Sequence, residues 1–150
     1  MPLSVSANLL DFFNGVKIGQ VLPSAGLKYI LNPPDPNARI TLVYFWGTWC
    51  GPCREAVPSL NALQADRGAR EFAVVAVTDE SETDVAEFLK RIPPVKYSVA
   101  LDDGRKLFDS LKIRALPYAV LLDKERKVIW RGQIKDLDSG KLDKFLSNGR

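Results

Sequence analysis

Cys50 and Cys53 are the only cysteines in this 150-residue chain, and two residues separate them. Thiols at this spacing can join in a disulfide and exchange it with disulfides of other molecules. The chain has no histidine. A structural zinc site normally takes four Cys or His ligands and a catalytic one usually three, so neither can be assembled here. Histidine-dependent catalytic triads are excluded as well. We therefore predict thiol chemistry and no metal site.

The cysteine pair lies where a predicted buried strand ends and a helix begins. Residues 40–46 are almost continuously apolar, as expected for a strand covered on both faces. Apolar residues then recur at helical spacing from Val57 to Leu63. Free N–H groups and the dipole at a helix N-terminus lower the pKa of a thiol. We therefore predict that Cys50 is the more exposed sulfur and the nucleophile, and that Cys53 is the resolving thiol.

The residues beside the two cysteines suit contact with another chain. Pro52 fits the first helical turn, where a missing N–H costs nothing, and Gly51 lets a second chain approach closely. Trp46 and Trp49 could each be a substrate platform or packing, and we choose Trp49 as the substrate contact. Disulfide oxidants commonly place a histidine between their cysteines, which this chain does not. We therefore expect a reductant, in the lower half of the range from about −270 to about −120 mV.

Three other uses of the cysteines remain open. A purely structural disulfide across so short a loop would remove little entropy from the unfolded chain and would be a poor staple. Two thiolates could bind Cu(I), a soft ion, in a metal-site assembly protein, although Met1 is the sole methionine and is remote in sequence. The third possibility is a redox-inactive interaction module whose cysteines have no chemical role.

The elements around the cysteines predict an α/β domain with a mixed central sheet. We expect one domain over residues 1–150, with its core at about 17–147. The patterns predict strands at 27–31, 40–46, 72–77, 97–101, 118–122 and 128–130, the last two forming an antiparallel hairpin. They predict helices at 8–13, 57–66, 85–92, 107–111 and around 142–146. Pro58 should kink the helix that follows the cysteines.

The charge and hydropathy of the chain exclude some classes of binding partner. The net charge of +3 comes from basic residues spread among acidic ones, so we expect no nucleic-acid role. No apolar run reaches the length of about 18 residues that a membrane span requires. The first residues lack the basic and apolar segments of a signal peptide. These observations predict no membrane span in this chain and leave the compartment open.

The motif from Trp49 to Cys53 follows a buried strand, and Pro117 precedes another strand. Together they resemble the thioredoxin superfamily over residues 17–147. The resemblance implies a thioredoxin fold, a central mixed β-sheet flanked by helices, with an N-terminal extension and a central insertion.

Within that superfamily, one branch is closer than the others. Phe-Trp-Gly-Thr-Trp-Cys-Gly-Pro-Cys-Arg-Glu at 45–55, Pro58 five residues after Cys53, and Gly-Gln-Val-Leu-Pro at 19–23 resemble the TlpA/ResA/DsbE branch. Residues 79–111 resemble the central insertion of that branch.

The resemblance also implies a substrate class and a location. Members of this branch are bacterial proteins, mostly exported or membrane-tethered, that reduce disulfides in partners such as apocytochromes c. By resemblance, we expect a thiol-disulfide oxidoreductase in the periplasm or another extracytoplasmic space, with a membrane tether conceivable in a precursor. Its partners would be protein disulfides and an upstream electron donor. We expect a monomer with no cofactor besides the Cys50–Cys53 disulfide.

The branch pattern further implies site residues and shows two departures. Pro117 would be a cis-proline facing the cysteines, and the backbone of Leu116 would pair with a substrate strand. Thioredoxins carry a buried aspartate where this chain has Tyr44, and the branch's usual glutamate is here Ala56. The proton acceptor for Cys53 is therefore open between Glu55, the Tyr44 hydroxyl and water. We predict slower resolution than in a relative with the buried acid.

Overall fold

The structure is a computed structural model that describes residues 13–23 and 26–148. The helix predicted at 8–13 lies outside the described residues except for Phe13, and the single domain over 1–150 stays a prediction. The strands are β1 Lys28–Leu31, β2 Ile40–Phe45, β3 Phe72–Thr78, β4 Ser98–Leu101, β5 Tyr118–Leu122 and β6 Val128–Gly132. The helices are α1 Gly51–Glu55, α2 Val57–Ala65, α3 Glu82–Leu89, α4 Lys106–Ser110 and α5 Ser139–Asn148, with 3₁₀ turns at Asp103–Arg105 and Ile134–Asp136.

The six strands form one mixed sheet in the order β1-β4-β3-β2-β5-β6. Strands β2, β3 and β4 run parallel, β1 pairs antiparallel with β4, and β5 pairs antiparallel with both β2 and β6. The β5–β6 pair confirms the predicted hairpin. The sheet and its flanking helices confirm the α/β thioredoxin fold predicted from the sequence.

Strand β2 is covered on both faces, as its apolar run predicts. Leu42 and Tyr44 belong to one hydrophobic cluster, and Val43 and Phe45 belong to another. Successive side chains of a strand point to opposite faces, so the two clusters lie on opposite sides of the sheet. On the second side, the ring of Phe108 meets Phe45 edge-on, with centroids 5.1 Å apart. The strand that leads to Cys50 is therefore held rigidly at the centre of the domain.

The helix after the cysteines is broken into α1 and α2 at Ala56, two residues before Pro58. Proline has no N–H for the carbonyl four residues earlier, and its ring crowds that carbonyl. The Ala56 N–H still bonds the Pro52 carbonyl at 3.2 Å, and the Leu60 N–H bonds the Ala56 carbonyl at 3.0 Å. The break confirms the predicted kink and leaves α1 as a short helix that contains Cys53.

The central insertion consists of α3, β4 and α4, between β3 and β5. Ser81 begins α3, because its hydroxyl accepts the Asp84 N–H at 3.2 Å. Buried Asp102 directly follows β4 and accepts the N–H groups of Leu107 at 3.1 Å and Phe108 at 2.8 Å. These two hydrogen bonds hold the start of α4. The insertion thus adds β4 to the sheet beside β3.

Candidate functional site

Cys50 and Cys53 form a disulfide at the start of α1, with their Cα atoms 5.2 Å apart. Cys50 is the N-cap residue, with extended backbone, and Pro52 lies in the first helical turn. The Cys53 N–H points at the Cys50 sulfur at 3.3 Å. An N–H donor and the positive end of a helix both stabilise a thiolate. The geometry therefore favours Cys50 as the sulfur that ionises first.

Exposure does not separate the two cysteines in this disulfide state. Cys50 is 4% exposed and Cys53 is 2% exposed. The prediction that Cys50 is the more exposed sulfur and the nucleophile stays a prediction, supported by the helix terminus. Pro52 is exposed. A Cβ atom at Gly51 would meet nothing within 4 Å, so the space in front of Gly51 is open to another chain.

The two tryptophans before the disulfide differ in surroundings. Trp49 is 70% exposed, while Trp46 is 6% exposed and packs against Phe88 in the core, with ring centroids 5.5 Å apart. Trp49 is therefore placed as the prediction requires, on the surface beside Cys50. A Cβ atom at Gly47 would lie 2.6 Å from the Trp49 indole nitrogen. The sequence analysis did not single out Gly47, which lets this ring lie against the loop.

Pro117 follows a cis peptide bond from Leu116, as the resemblance implied. It shares a groove of about 540 Å³ with Pro52, which brings the cysteine loop and the proline loop to one surface. The remaining wall comes from α2 and from residues 133–139. Leu116 is half-buried and packs against both hydrophobic clusters.

Asn14 supports the proline loop, and the sequence analysis did not identify it. Its side-chain oxygen accepts the Arg114 N–H at 2.7 Å and the Ala115 N–H at 3.0 Å, while its nitrogen donates to the Ala115 carbonyl at 3.2 Å. Asn14 is 4% exposed. One buried side chain therefore satisfies three backbone groups just before Leu116.

Glu80 supports the cysteine loop, and the sequence analysis did not identify it either. Its carboxylate accepts the Thr48 N–H at 3.0 and 3.1 Å and the Thr48 hydroxyl at 2.8 Å. Thr48 is two residues before Cys50. An acid in the loop after β3 thus contacts the segment that carries the cysteine.

Tyr44 and Glu55, the candidate proton acceptors, both line the outer groove, and Tyr44 also reaches the interior. Tyr44 is buried and lines a small interior cavity together with Cys53. Its hydroxyl finds no hydrogen-bond partner among the described residues. Burial, with a contribution from Tyr97, raises the pKa of Tyr44 above its usual range. The hydroxyl therefore stays neutral and is a donor for a thiolate rather than a base. Glu55 is exposed and lines the outer groove.

Residues 13–23 and 26–148 contain neither a metal-binding cluster nor a membrane-spanning helix. No three His, Cys, Asp or Glu side chains in these ranges group closely enough to hold a metal ion. No helix in them has the length and apolar character that crossing a membrane requires.

A disulfide at a helix N-terminus, a cis-proline that lines the same groove as Pro52, and a mixed sheet of this order define a thioredoxin-superfamily protein of the TlpA/ResA/DsbE type. The sequence profile described as Redoxin matches residues 35–146. The chain belongs to the Redoxin family.

Relatives and solved structures agree with this assignment. The thiol-disulfide oxidoreductase ResA of Bacillus cereus is 35% identical over 96 residues, which are 63% of this chain and 55% of that protein. ResA of Bacillus subtilis is 34% identical over 96 residues, 63% of this chain and 53% of its own. This chain therefore spans about half the length of these relatives.

Among solved structures, one assigned as the thiol:disulfide interchange protein DsbE from Chlorobium tepidum has a TM-score of 0.74 and 26% identity. The match covers 90% of this chain and 99% of that one. StoA from Bacillus subtilis has a TM-score of 0.65 at 20% identity, covering 84% of this chain and 98% of its own, and shows the shared fold.

Proposed function

We propose that the protein is a thiol-disulfide oxidoreductase that reduces disulfides of partner proteins. The observation that carries this proposal is the Cys50–Cys53 disulfide at the N-terminus of α1, with the Cys53 N–H directed at the Cys50 sulfur. A purely structural disulfide across so short a loop would add little to the stability of the fold. A disulfide-exchange site, in contrast, needs a stabilised thiolate at a surface. The names of the ResA and DsbE relatives support the same activity.

In the proposed reaction, the reduced protein transfers two electrons to its partner. The Cys50 thiolate attacks one sulfur of the partner disulfide, the partner S–S bond breaks, and the other partner sulfur leaves as a thiolate that takes up a proton. Cys53 then loses its proton and attacks Cys50. The mixed disulfide breaks, the second partner thiol is released, and Cys50 and Cys53 are joined again. An upstream dithiol donor would reduce the pair for the next cycle.

The surface around the disulfide suits an extended polypeptide. Trp49 offers an exposed indole, and Pro52 and Pro117 line one groove. The backbone before Pro117 is held by Asn14, so the Leu116 peptide is fixed in place beside this groove. A substrate strand could add to that backbone by main-chain hydrogen bonds. We therefore assign substrate contact to Trp49, Gly51, Pro52, Leu116 and Pro117.

The finer identity of the partners follows the family resemblance. We propose apocytochromes c, or other exported proteins with a disulfide, as substrates in a periplasmic or extracytoplasmic compartment. The bacterial relatives named ResA and DsbE support this choice. We further propose that the protein acts as a monomer and needs no cofactor besides its own disulfide.

A redox titration tests the activity and its direction. The protein is equilibrated in glutathione buffers while the fluorescence of Trp49, next to Cys50, is followed, with Cys50→Ser as the control. We expect a two-electron transition with a midpoint below about −220 mV, because no histidine lies between the cysteines to stabilise the thiolate form. The control should show no transition.

Other outcomes of the titration contradict this proposal. A midpoint above about −150 mV would make the protein an oxidant or isomerase. No transition at all, followed by stoichiometric binding of Cu(I), would favour the copper-binding function of the same two thiols.

The proton step at Cys53 gives a second prediction. Tyr44→Phe should slow release of the partner from the mixed disulfide about tenfold. The Tyr44 hydroxyl has no partner among the described residues and lines the same cavity as Cys53, so it is available to donate to the Cys53 thiolate when that charge forms. A hydrogen bond to a charged group contributes about 1.5 kcal/mol or more. Glu55→Ala should leave this rate unchanged, because Glu55 is exposed and lines a groove that Cys53 does not reach. Stopped-flow measurement of the second step checks both. Unchanged rates in both variants would leave water as the proton acceptor.

A further inference from the structure

We infer that Glu80 is a positioning residue for Cys50 and sets both the rate of the first exchange step and the redox potential. This inference rests on the proposed thiol-disulfide exchange. Glu80 touches neither cysteine in the described contacts and acts through Thr48, in the loop that joins β2 to α1.

The contact between Glu80 and Thr48 consists of several hydrogen bonds to one charged carboxylate. Both carboxylate oxygens receive the Thr48 N–H, at 3.1 and 3.0 Å, and one also receives the Thr48 hydroxyl at 2.8 Å. Hydrogen bonds to a charged acceptor are about twice as strong as those between neutral groups. The contact is partly buried, which reduces competition from water. Thr48 is thus held at its backbone and its side chain by a single group.

Glu80 is itself anchored to the sheet. Its N–H bonds the Thr78 hydroxyl at 3.3 Å, and Thr78, the last residue of β3, accepts the Asp102 N–H at 2.9 Å on its carbonyl. Ser81, the next residue, begins α3. The Glu80 carboxylate therefore fixes the cysteine loop relative to β3 and α3.

The other backbone attachments lie at the two ends of the loop, where the Trp46 N–H bonds the Val77 carbonyl at 3.1 Å and the Cys50 carbonyl accepts the Arg54 N–H at 3.3 Å. Within the described contacts, the Cys50 N–H closes a turn onto the Gly47 carbonyl at 3.1 Å. Trp49 is 70% exposed, and its ring lies against Gly47 of the same loop. Once the disulfide is reduced, Cys50 and Cys53 are no longer joined, and the Glu80 contact ties the middle of the loop, at Thr48, to the segment after β3. Misplacement of a reacting group by about 1 Å can cost 100-fold in rate.

The same contact should affect the potential. A loop held in place keeps the two thiols close, which favours closure of the disulfide. Removing the contact frees the loop in the dithiol form only, since the disulfide itself restrains Cys50 in the oxidised form. The dithiol form gains entropy, and the protein becomes a weaker reductant.

The test uses the full chain with Glu80→Ala and Glu80→Gln, and Glu87→Ala as the matched control. Glu87 is an exposed residue of α3 that pairs with Lys90, the residue after the helix. Two quantities are measured: the rate at which the reduced protein attacks a small aromatic disulfide, and the equilibrium constant with glutathione. We expect Glu80→Ala to slow attack about tenfold and to shift the equilibrium about threefold or more toward the dithiol.

Glu80→Gln should restore most of the rate, because its amide can accept the Thr48 N–H and donate to the hydroxyl. A Glu80→Ala protein that attacks at the wild-type rate overturns the inference. If that variant does not fold, Thr48→Val decides: about threefold slower attack supports the inference, and an unchanged rate overturns it. A wild-type protein that exchanges no disulfide would instead refute the proposed function.

Discussion

Replacing Cys50 by serine should abolish disulfide exchange, and replacing Cys53 should trap the protein in a mixed disulfide with its partner. Cys50 lies at the start of α1 and receives the Cys53 N–H, so it is the sulfur whose thiolate is stabilised. Without it, no covalent intermediate forms. Without Cys53, the intermediate forms and cannot be resolved within the protein.

Incubation with a disulfide-containing protein, followed by non-reducing gels and mass spectrometry, distinguishes the two variants. Cys53→Ser should accumulate an adduct of the summed mass that a reductant removes, and Cys50→Ser should form none. The double serine variant is the control for non-covalent association, which would persist in a redox-inactive interaction module. An adduct that accumulates in Cys50→Ser and not in Cys53→Ser would reverse the two assignments.

Asn14→Ala should lower the free energy of unfolding by about 2–4 kcal/mol, because three hydrogen bonds are lost and their backbone partners remain in a partly buried place. Asn14→Asp should also lower this free energy, because its carboxylate can accept the N–H groups of Arg114 and Ala115 but cannot donate to the Ala115 carbonyl. Urea denaturation followed by circular dichroism measures both changes.

Asn37→Ala is the matched control for this measurement. Asn37 is exposed in the loop between β1 and β2, and its substitution should change the free energy by less than about 0.5 kcal/mol. If Asn14→Ala were as stable as the control, the proline loop would not depend on Asn14. A variant that remains folded should also exchange disulfides more slowly, since the Leu116 backbone loses its support.

The sequence predicted those parts of the fold that depend on local patterns. The apolar run before Cys50 is β2, the helix predicted at 85–92 overlaps α3, and Pro58 accompanies a break in the helix. The hairpin of β5 and β6 also lies where the pattern placed it. Each of these features is encoded by residues within a few positions of one another. The order of strands, with β4 between β1 and β3, depends on long-range pairing and was not predicted.

The candidate site divides in the same way. The cysteine pair and Trp49 could be identified from one short motif, and the cis peptide bond before Pro117 from the resemblance. Asn14 and Glu80 could not, because their partners lie about 100 and 32 residues away in the sequence. Single polar residues in loops carry no periodic signal. Such contacts become visible only when the fold brings their partners together.

Asn14 and Glu80 both come from segments that are additions to the central sheet unit. Asn14 belongs to the N-terminal extension and holds the proline loop, and Glu80 belongs to the insertion after β3 and holds the cysteine loop. The cysteine loop and the proline loop are thus held in place by residues that lie outside the cysteine motif. Consider a chimera that keeps residues 45–55 and takes the N-terminal extension and the insertion from a relative. We expect it to keep the cysteine pair needed for disulfide exchange and to lose the contacts that position the cysteine and proline loops. Specificity could accordingly diverge between relatives through their appended segments, with the cysteine motif unchanged.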